Sequence, residues 1–167
     1  MDTVEQLLNT EDLHPIDIVE TLAERHAWDF DRVGEDQIAM AIEGSWRTYS
    51  VTLALSSGDE MLRLICTFEM DPPEEKLPAL YEALDRANDM CWAGSFSLWR
   101  ERKLMIWKYG LTLAGGAAAG AGQINDMLAS AVEACERFYP ALQLVCWGEE
   151  TVDAAMGIAI AEAYGRA

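Results

Sequence analysis

Residues 38–68 read IAMAIEGSWRTYSVTLALSSGDEMLRLICTF, and the alternation inside this stretch decides the fold. Ile38, Met40 and Ile42 fall on one side of the chain, and Gly44-Ser45 interrupts them. Tyr49, Val51, Leu53 and Leu55 repeat the pattern up to Ser57-Gly58-Asp59, and Leu62, Leu64, Cys66 and Phe68 repeat it again. A period of two with one apolar side is the mark of a half-buried strand. The connections are too short for a crossover, so neighbouring strands must pair antiparallel. One apolar face per strand predicts a sheet covered on one side.

Working outward, Trp28 and Phe30 alternate with Asp29 and Asp31, which predicts a preceding strand closed by a turn at Gly34-Glu35-Asp36. Upstream of it Pro15, which suits a first helical turn, opens a helix carrying Ile16, Val19, Leu22, Ala23 and His26 at helical spacing. Residues 1–14 are acidic, without Lys or Arg, and read as a lead-in to a single domain over 15–167. Downstream, Asp71-Pro72-Pro73-Glu74-Glu75 opens a second helix with the stripe Leu77, Leu80, Tyr81, Leu84, Ala87 and Asn88.

Two more strands follow. Trp92, Phe96 and Leu98 alternate in the first, and Arg100-Glu101-Arg102-Lys103 reverses the chain. Leu104 to Leu111 is apolar on both faces, with Leu104 and Ile106 on one and Met105, Trp107 and Tyr109 on the other. Such a strand is either central or covered by a partner. Ile124, Met127, Leu128, Ala131, Cys135 and Phe138 mark a third helix. Residues 141–147 carry two readings, a strand through Leu142, Leu144 and Cys146, or the same helix continued past a kink at Pro140, which is preferred. A last helix runs from about Thr151 to Tyr164. The order predicts an α+β fold, a single antiparallel sheet with helices packed on one side.

The chain has 167 residues and a formal charge of −17, with half its residues apolar. It is long enough to bury a core and too apolar to be a disordered acidic tail. The charge argues against a general nucleic-acid binder, which needs Lys and Arg to displace counterions, and against adsorption to anionic lipid. No apolar run is long enough to span a membrane and the first residues lack the layout of a secretory signal, so the expected location is cytoplasmic. Cys66, Cys91, Cys135 and Cys146 lack metal-ligand spacing and sit in apolar stretches, as buried free thiols do.

No catalytic signature emerges. The Gly/Ala-rich stretch from Thr112 to Gly122 has no following Lys-Ser or Lys-Thr and no parallel βαβ unit around it, so it reads as a connection. His14 precedes a proline, and His26 ends a helix, where its charge suits the dipole. Asp29 with Asp31 reads as a solvated strand face, and Glu149, Glu150 and Asp153 as the capping and dipole complement of a helix start. No GxSxG elbow or calcium loop occurs. No cofactor or metal is expected. Trp99 and Trp107 flank the charged turn with Arg100, Arg102, Lys103 and Lys108 nearby, and aromatic residues beside arginine are common at interaction surfaces.

Several stretches carry a family likeness: Asn88-Asp89-Met90, then Gly94-Ser95-Phe96-Ser97-Leu98-Trp99, then Leu104 to Leu111 leading into the glycine-rich loop. The most specific is Cys135-Glu136-Arg137-Phe138-Tyr139-Pro140-Ala141-Leu142-Gln143, followed by Trp147-Gly148 and an Ala-rich helix. Together they resemble the YbjN family of bacterial proteins, its alphaproteobacterial branch most closely. Lys108-Tyr109 departs from the pattern, since relatives tend to carry an arginine in this strand. The resemblance implies a fold like that of type III secretion chaperones, a dimer, and a role in sensory transduction; it brings no enzymatic activity.

The expectation is therefore a non-enzymatic protein-interaction module, chaperone-like or regulatory, acting as a homodimer on a protein partner, with no nucleic acid and no membrane. Tyr81, Trp92, Trp99, Leu104, Ile106 and Trp107 are the expected contact residues. They lie in the segment 74–111, where six acids balance six bases in an otherwise acidic chain. Two acidic copies would meet there without like-charge repulsion. The competing expectation is a small-molecule sensor or hydrolase with acidic residues near a pocket.

Overall fold

The computed structural model describes residues 13–165, apart from 57 and 59; the expected acidic lead-in lies almost wholly outside them. Among the described residues the strands are β1 (Asp29–Arg32), β2 (Gln37–Glu43), β3 (Thr48–Ser56), β4 (Met61–Glu69), β5 (Ser95–Trp99) and β6 (Leu104–Thr112). The helices are α1 (Pro15–Arg25), α2 (Leu77–Asp89), α3 (Ala121–Trp147) and α4 (Val152–Gly165). The strands form one antiparallel sheet in the order β1-β2-β3-β4-β6-β5.

Register explains why the sheet has one wet and one dry face. Phe30, Met40, Val51, Cys66, Trp107 and Phe96 lie side by side in one row across all six strands. This row belongs to the core that α1, α2 and α3 cover. The next row, Asp29, Ala41, Ser50, Thr67, Ile106 and Ser97, faces the opposite way and is small or polar except at Ile106. Strand side chains alternate, so a slip of one residue would exchange the two rows and expose the core.

The two-sided apolar strand is β6, and its place between β4 and β5 is the central alternative of the sequence reading. Met105 and Trp107 point to the helices, while Ile106 is fully buried within the chain on the other side. Residues 141–147 are helical, not a strand: α3 runs through Pro140, burying Phe138, Ala141, Leu142 and Val145 as one continued stripe. Pro140 lacks the N–H that would bond the carbonyl of Glu136.

Both sheet edges carry features that discourage further pairing. β1 is short and charged, and Arg32 on it binds Asp17 and Glu20 of α1 as well as the carbonyls of Gly34 and Glu35. Short charged edges resist strand addition. On β5 the edge is capped by a side chain of α2: Asn88 donates to the carbonyl of Phe96 at 3.1 Å and accepts from its N–H at 2.6 Å.

A second long-range tie fastens the β2–β3 turn to α3. The Glu136 carboxylate accepts from the Tyr49 hydroxyl at 2.5 Å and from the backbone N–H of Ser45 at 2.8 Å. Gly44 sits so close that a β-carbon there would lie 2.2 Å from Glu136 Oε1, which is why the turn needs glycine.

Candidate interaction surface

The structure separates the six residues expected at a contact surface. Trp107 and Ile106 are buried on opposite faces of the sheet. Leu104 and Trp99 pair across β6 and β5 on the outer face, with the Arg102 guanidinium over the Trp99 ring at 5.7 Å. Tyr81 lies on the solvent side of α2, 47% exposed, because the buried positions of that helix are Leu77, Leu80, Ala83, Leu84 and Ala87. Trp92 is fully exposed and lies in the α2–β5 loop, not in the strand.

That loop is held at both ends, so the exposure of Trp92 is built into the fold. At its start Asn88 binds Phe96, while Met90 and Cys91 donate their N–H groups to the carbonyls of Ala87 and Asn88. At its end Gly94 adopts φ +100°, and a β-carbon there would lie 2.2 Å from the Trp107 ring. Only glycine combines that backbone angle with that approach. The left-handed turn ends the alternation that runs through Phe96 and Leu98, and it throws Trp92 outward.

Beside Trp92, a groove of about 330 Å³ is lined by Met90, Cys91, Trp107, Glu133, Arg137 and Phe138. Arg137 lies over the Phe138 ring at 5.1 Å and reaches the Met90 sulfur at 3.7 Å through Nη2. Its Nε is buried without a hydrogen-bond partner, and it forms no ion pair among the described residues. Glu133, one turn away on the same groove, leaves it unpaired. Burial pushes the Cys91 thiol pKa up, with the Trp107 indole N–H and Arg137 pulling the other way. This thiol is therefore not an activated nucleophile at neutral pH. Sequence reasoning missed Arg137; the signal was its place one residue before an aromatic in the most specific motif of the chain.

Three of the titratable residues weighed for catalysis, His14, His26 and Asp153, have structural duties. His14 caps α1, Nδ1 accepting from the N–H of Ile16 at 3.1 Å, and Nε2 lies 3.0 Å from Asp36. His26 ends the same helix and stacks on Trp28 at 4.4 Å. Asp153 pairs with Arg86 of α2. Among the described residues no group of three or more His, Cys, Asp or Glu is arranged to hold a metal ion. No helix among them is long and apolar enough to cross a membrane.

Fold and surface define an α+β protein, a six-stranded antiparallel sheet backed by helices, with a locked aromatic loop at one edge. Residues 15–144 match the family model of YbjN, described as "Putative bacterial sensory transduction regulator". This chain belongs to the YbjN family. The chain is similar to a solved structure described as "Crystal structure of YbjN, a putative transcription regulator from E. coli", with a TM-score of 0.52 and 10% identity. The match covers 91% of this chain and 94% of that one, and at this identity it speaks for the fold. No curated protein matches the chain. Both descriptions name regulation and neither names a reaction.

Proposed function

We propose that this chain is a non-enzymatic interaction module of the cytoplasm, regulatory or chaperone-like, that takes hold of a protein partner with Trp92 and Arg137. The observation that carries the reading is a tryptophan 100% exposed on a loop fixed at both ends. Tryptophan and arginine dominate the energetic centres of protein interfaces. Covering an aromatic of this size gives roughly 4–6 kcal/mol of gross hydrophobic gain. Because the loop is already ordered, little conformational entropy is lost on binding. A carboxylate of the partner would supply the counter-ion that Arg137 lacks.

The reading includes a homodimer through the neutral segment 74–111, which holds Tyr81, Trp92 and Trp99 among its exposed residues. Ile106 is already covered inside one chain, so the support comes from charge and exposed aromatics, not from β6. Affinity purification with the intact chain and with Trp92→Ala, read by mass spectrometry, tests the partner. A specific partner should be lost with the variant, and equal recovery from both chains overturns the role of Trp92. Light scattering at micromolar concentration tests the dimer, which a monodisperse monomer would remove.

A further inference from the structure

The end of the sheet away from Trp92 carries a different chemistry. There the β2–β3 turn, the close of β4 and the β5–β6 turn meet the C-terminal half of α3 around a cavity of about 530 Å³. Arg47, Arg102 and Lys103 line it from the sheet side, and Tyr139, Gln143 and Trp147 from the helix. Two carboxylates, Glu69 and Asp71, are also in the lining, so the groove is net positive on a chain of −17.

Two of its three cations have no carboxylate partner among the described residues. The Arg47 guanidinium sits 5.8 Å from the ring centres of both Phe68 and Tyr139. Its Nη1 donates to the backbone carbonyl of Glu69 at 3.3 Å, and its Nε is buried without a partner. Arg102 lies over the Trp99 ring and forms no ion pair among the described residues. Only Lys103 has a counter-ion, Asp71 at 3.5 Å, in a pair two-thirds exposed on both sides. A guanidinium packed beside a pair of aromatic rings and stripped of part of its water, with no carboxylate paired to it, is an unfavourable arrangement that a bound anion relieves.

The shape of the site narrows the anion. Two guanidiniums without carboxylate partners at one mouth, with Lys103 beside them, suit a dianion better than a single carboxylate, and guanidinium forks match phosphate oxygens in pairs. Trp147, 51% exposed beside Tyr139, offers an aromatic surface for a flat apolar body. The volume falls within the range of small-molecule sites. We propose that this groove binds a phosphate monoester with a planar body, of which a nucleoside monophosphate is the simplest member. The phosphate sits on Arg47, Arg102 and Lys103, and the planar group lies against Trp147. The site is separate from the Trp92 groove and stands whether or not that surface takes a protein.

The test is a titration of the full chain with adenosine monophosphate, followed by calorimetry and tryptophan fluorescence. Inorganic phosphate, adenosine and benzoate are the comparison ligands. The nucleotide should bind about tenfold or more tightly than any of the three, since both halves of the site are then used. Arg102→Gln, on an exposed turn where folding is not at stake, should weaken it roughly fivefold or more by removing one fork. Trp147→Ala should weaken it similarly, and Trp147→Phe should restore it. Absence of saturable binding up to millimolar nucleotide overturns the proposal. So does equal affinity for inorganic phosphate, which removes the planar body, or for benzoate, which removes the phosphate. Unchanged affinity in Arg102→Gln overturns the placement of the phosphate.

Discussion

The side-chain amide of Asn88 binds both backbone groups of Phe96, accepting from its N–H at 2.6 Å and donating to its carbonyl at 3.1 Å. An amide is the one side-chain group that offers a donor and an acceptor side by side, as a neighbouring strand would. Asn88 thus stands in for a seventh strand at the edge and anchors the loop that carries Trp92. Replacing it by Ala leaves both groups of Phe96 unpaired and should cost about 1–3 kcal/mol. Asn88→Asp keeps the acceptor but sets a carboxylate oxygen against the carbonyl, so it should be no better than Ala. Urea unfolding monitored by far-UV circular dichroism reads both. An unchanged midpoint in Asn88→Ala would show that water replaces the amide without loss. The open edge should also raise concentration-dependent association, visible by light scattering.

Tyr49 connects stability to alkaline pH. Its ring is fully buried, and burial, with the Glu136 carboxylate at its hydroxyl, pushes its pKa far above the ordinary value of 10.0. The folded state therefore holds the phenolic proton more tightly than the unfolded chain. A raised folded pKa gives stability that is complete below the unfolded value and is lost as pH climbs above it. From this one group the loss should run at about 1.4 kcal/mol per pH unit above roughly pH 10. Tyr49→Phe should have a shallower decline than the parent chain, and below pH 9 it should be less stable by about 1–2 kcal/mol for the lost charge-assisted bond. Urea midpoints from pH 8 to about pH 11 decide the matter, and parallel curves would remove Tyr49 as the titrating group.

The alternation of residues 38–68 was enough to read β2, β3 and β4. It carried a face assignment too, because core and solvent sides follow from period two. The same rule misplaced Trp92, whose parity matches Phe96 and Leu98 although the left-handed Gly94 intervenes. Tyr81 was misjudged for a related reason: beside Leu77, Leu80 and Leu84 it fits a helical stripe, yet the small Ala83 and Ala87 carry the buried side. The groove of Arg47, Tyr139 and Trp147 was not legible at all. Its residues are almost a hundred positions apart, and only the docking of α3 on the sheet brings them together. Glu136 and Tyr49 share that reason, and no local spacing announces their bond.

Gly94 is the position where one methyl group should do the most damage. An added β-carbon meets the Trp107 ring at 2.2 Å, and φ is +100°. Both a backbone outside the range of L side chains and an overlap with a buried ring must be relieved, at about 2–4 kcal/mol together. Gly94→Ala should lower the thermal midpoint and draw the loop inward. Gly34→Ala is the control, since nothing lies within 4 Å of a β-carbon there and its φ is not in the left-handed range. Equal thermal midpoints for the two variants would mean that the loop yields freely, and the rigid presentation of Trp92 would fall with it.

The four thiols should differ in their answer to a disulfide reagent. Cys66 and Cys135 face each other in the core, 3.6 Å apart, both fully buried, and the neighbouring thiol together with burial pushes Cys135 far up. Cys146 is buried as well, its pKa pushed up to about 11 by the loss of water around the thiolate. Cys91 is the only partly exposed one of the four, raised by burial but lowered in part by the Trp107 indole and Arg137. The thiolate is the attacking species, so reaction follows both access and pKa. In native buffer at pH 8, Cys91 should react first and alone, and the other three should appear only with denaturant. A native count above one, mapped by peptide mass spectrometry to Cys66 or Cys135, would mean that α3 lifts from the sheet far more often than its packing implies.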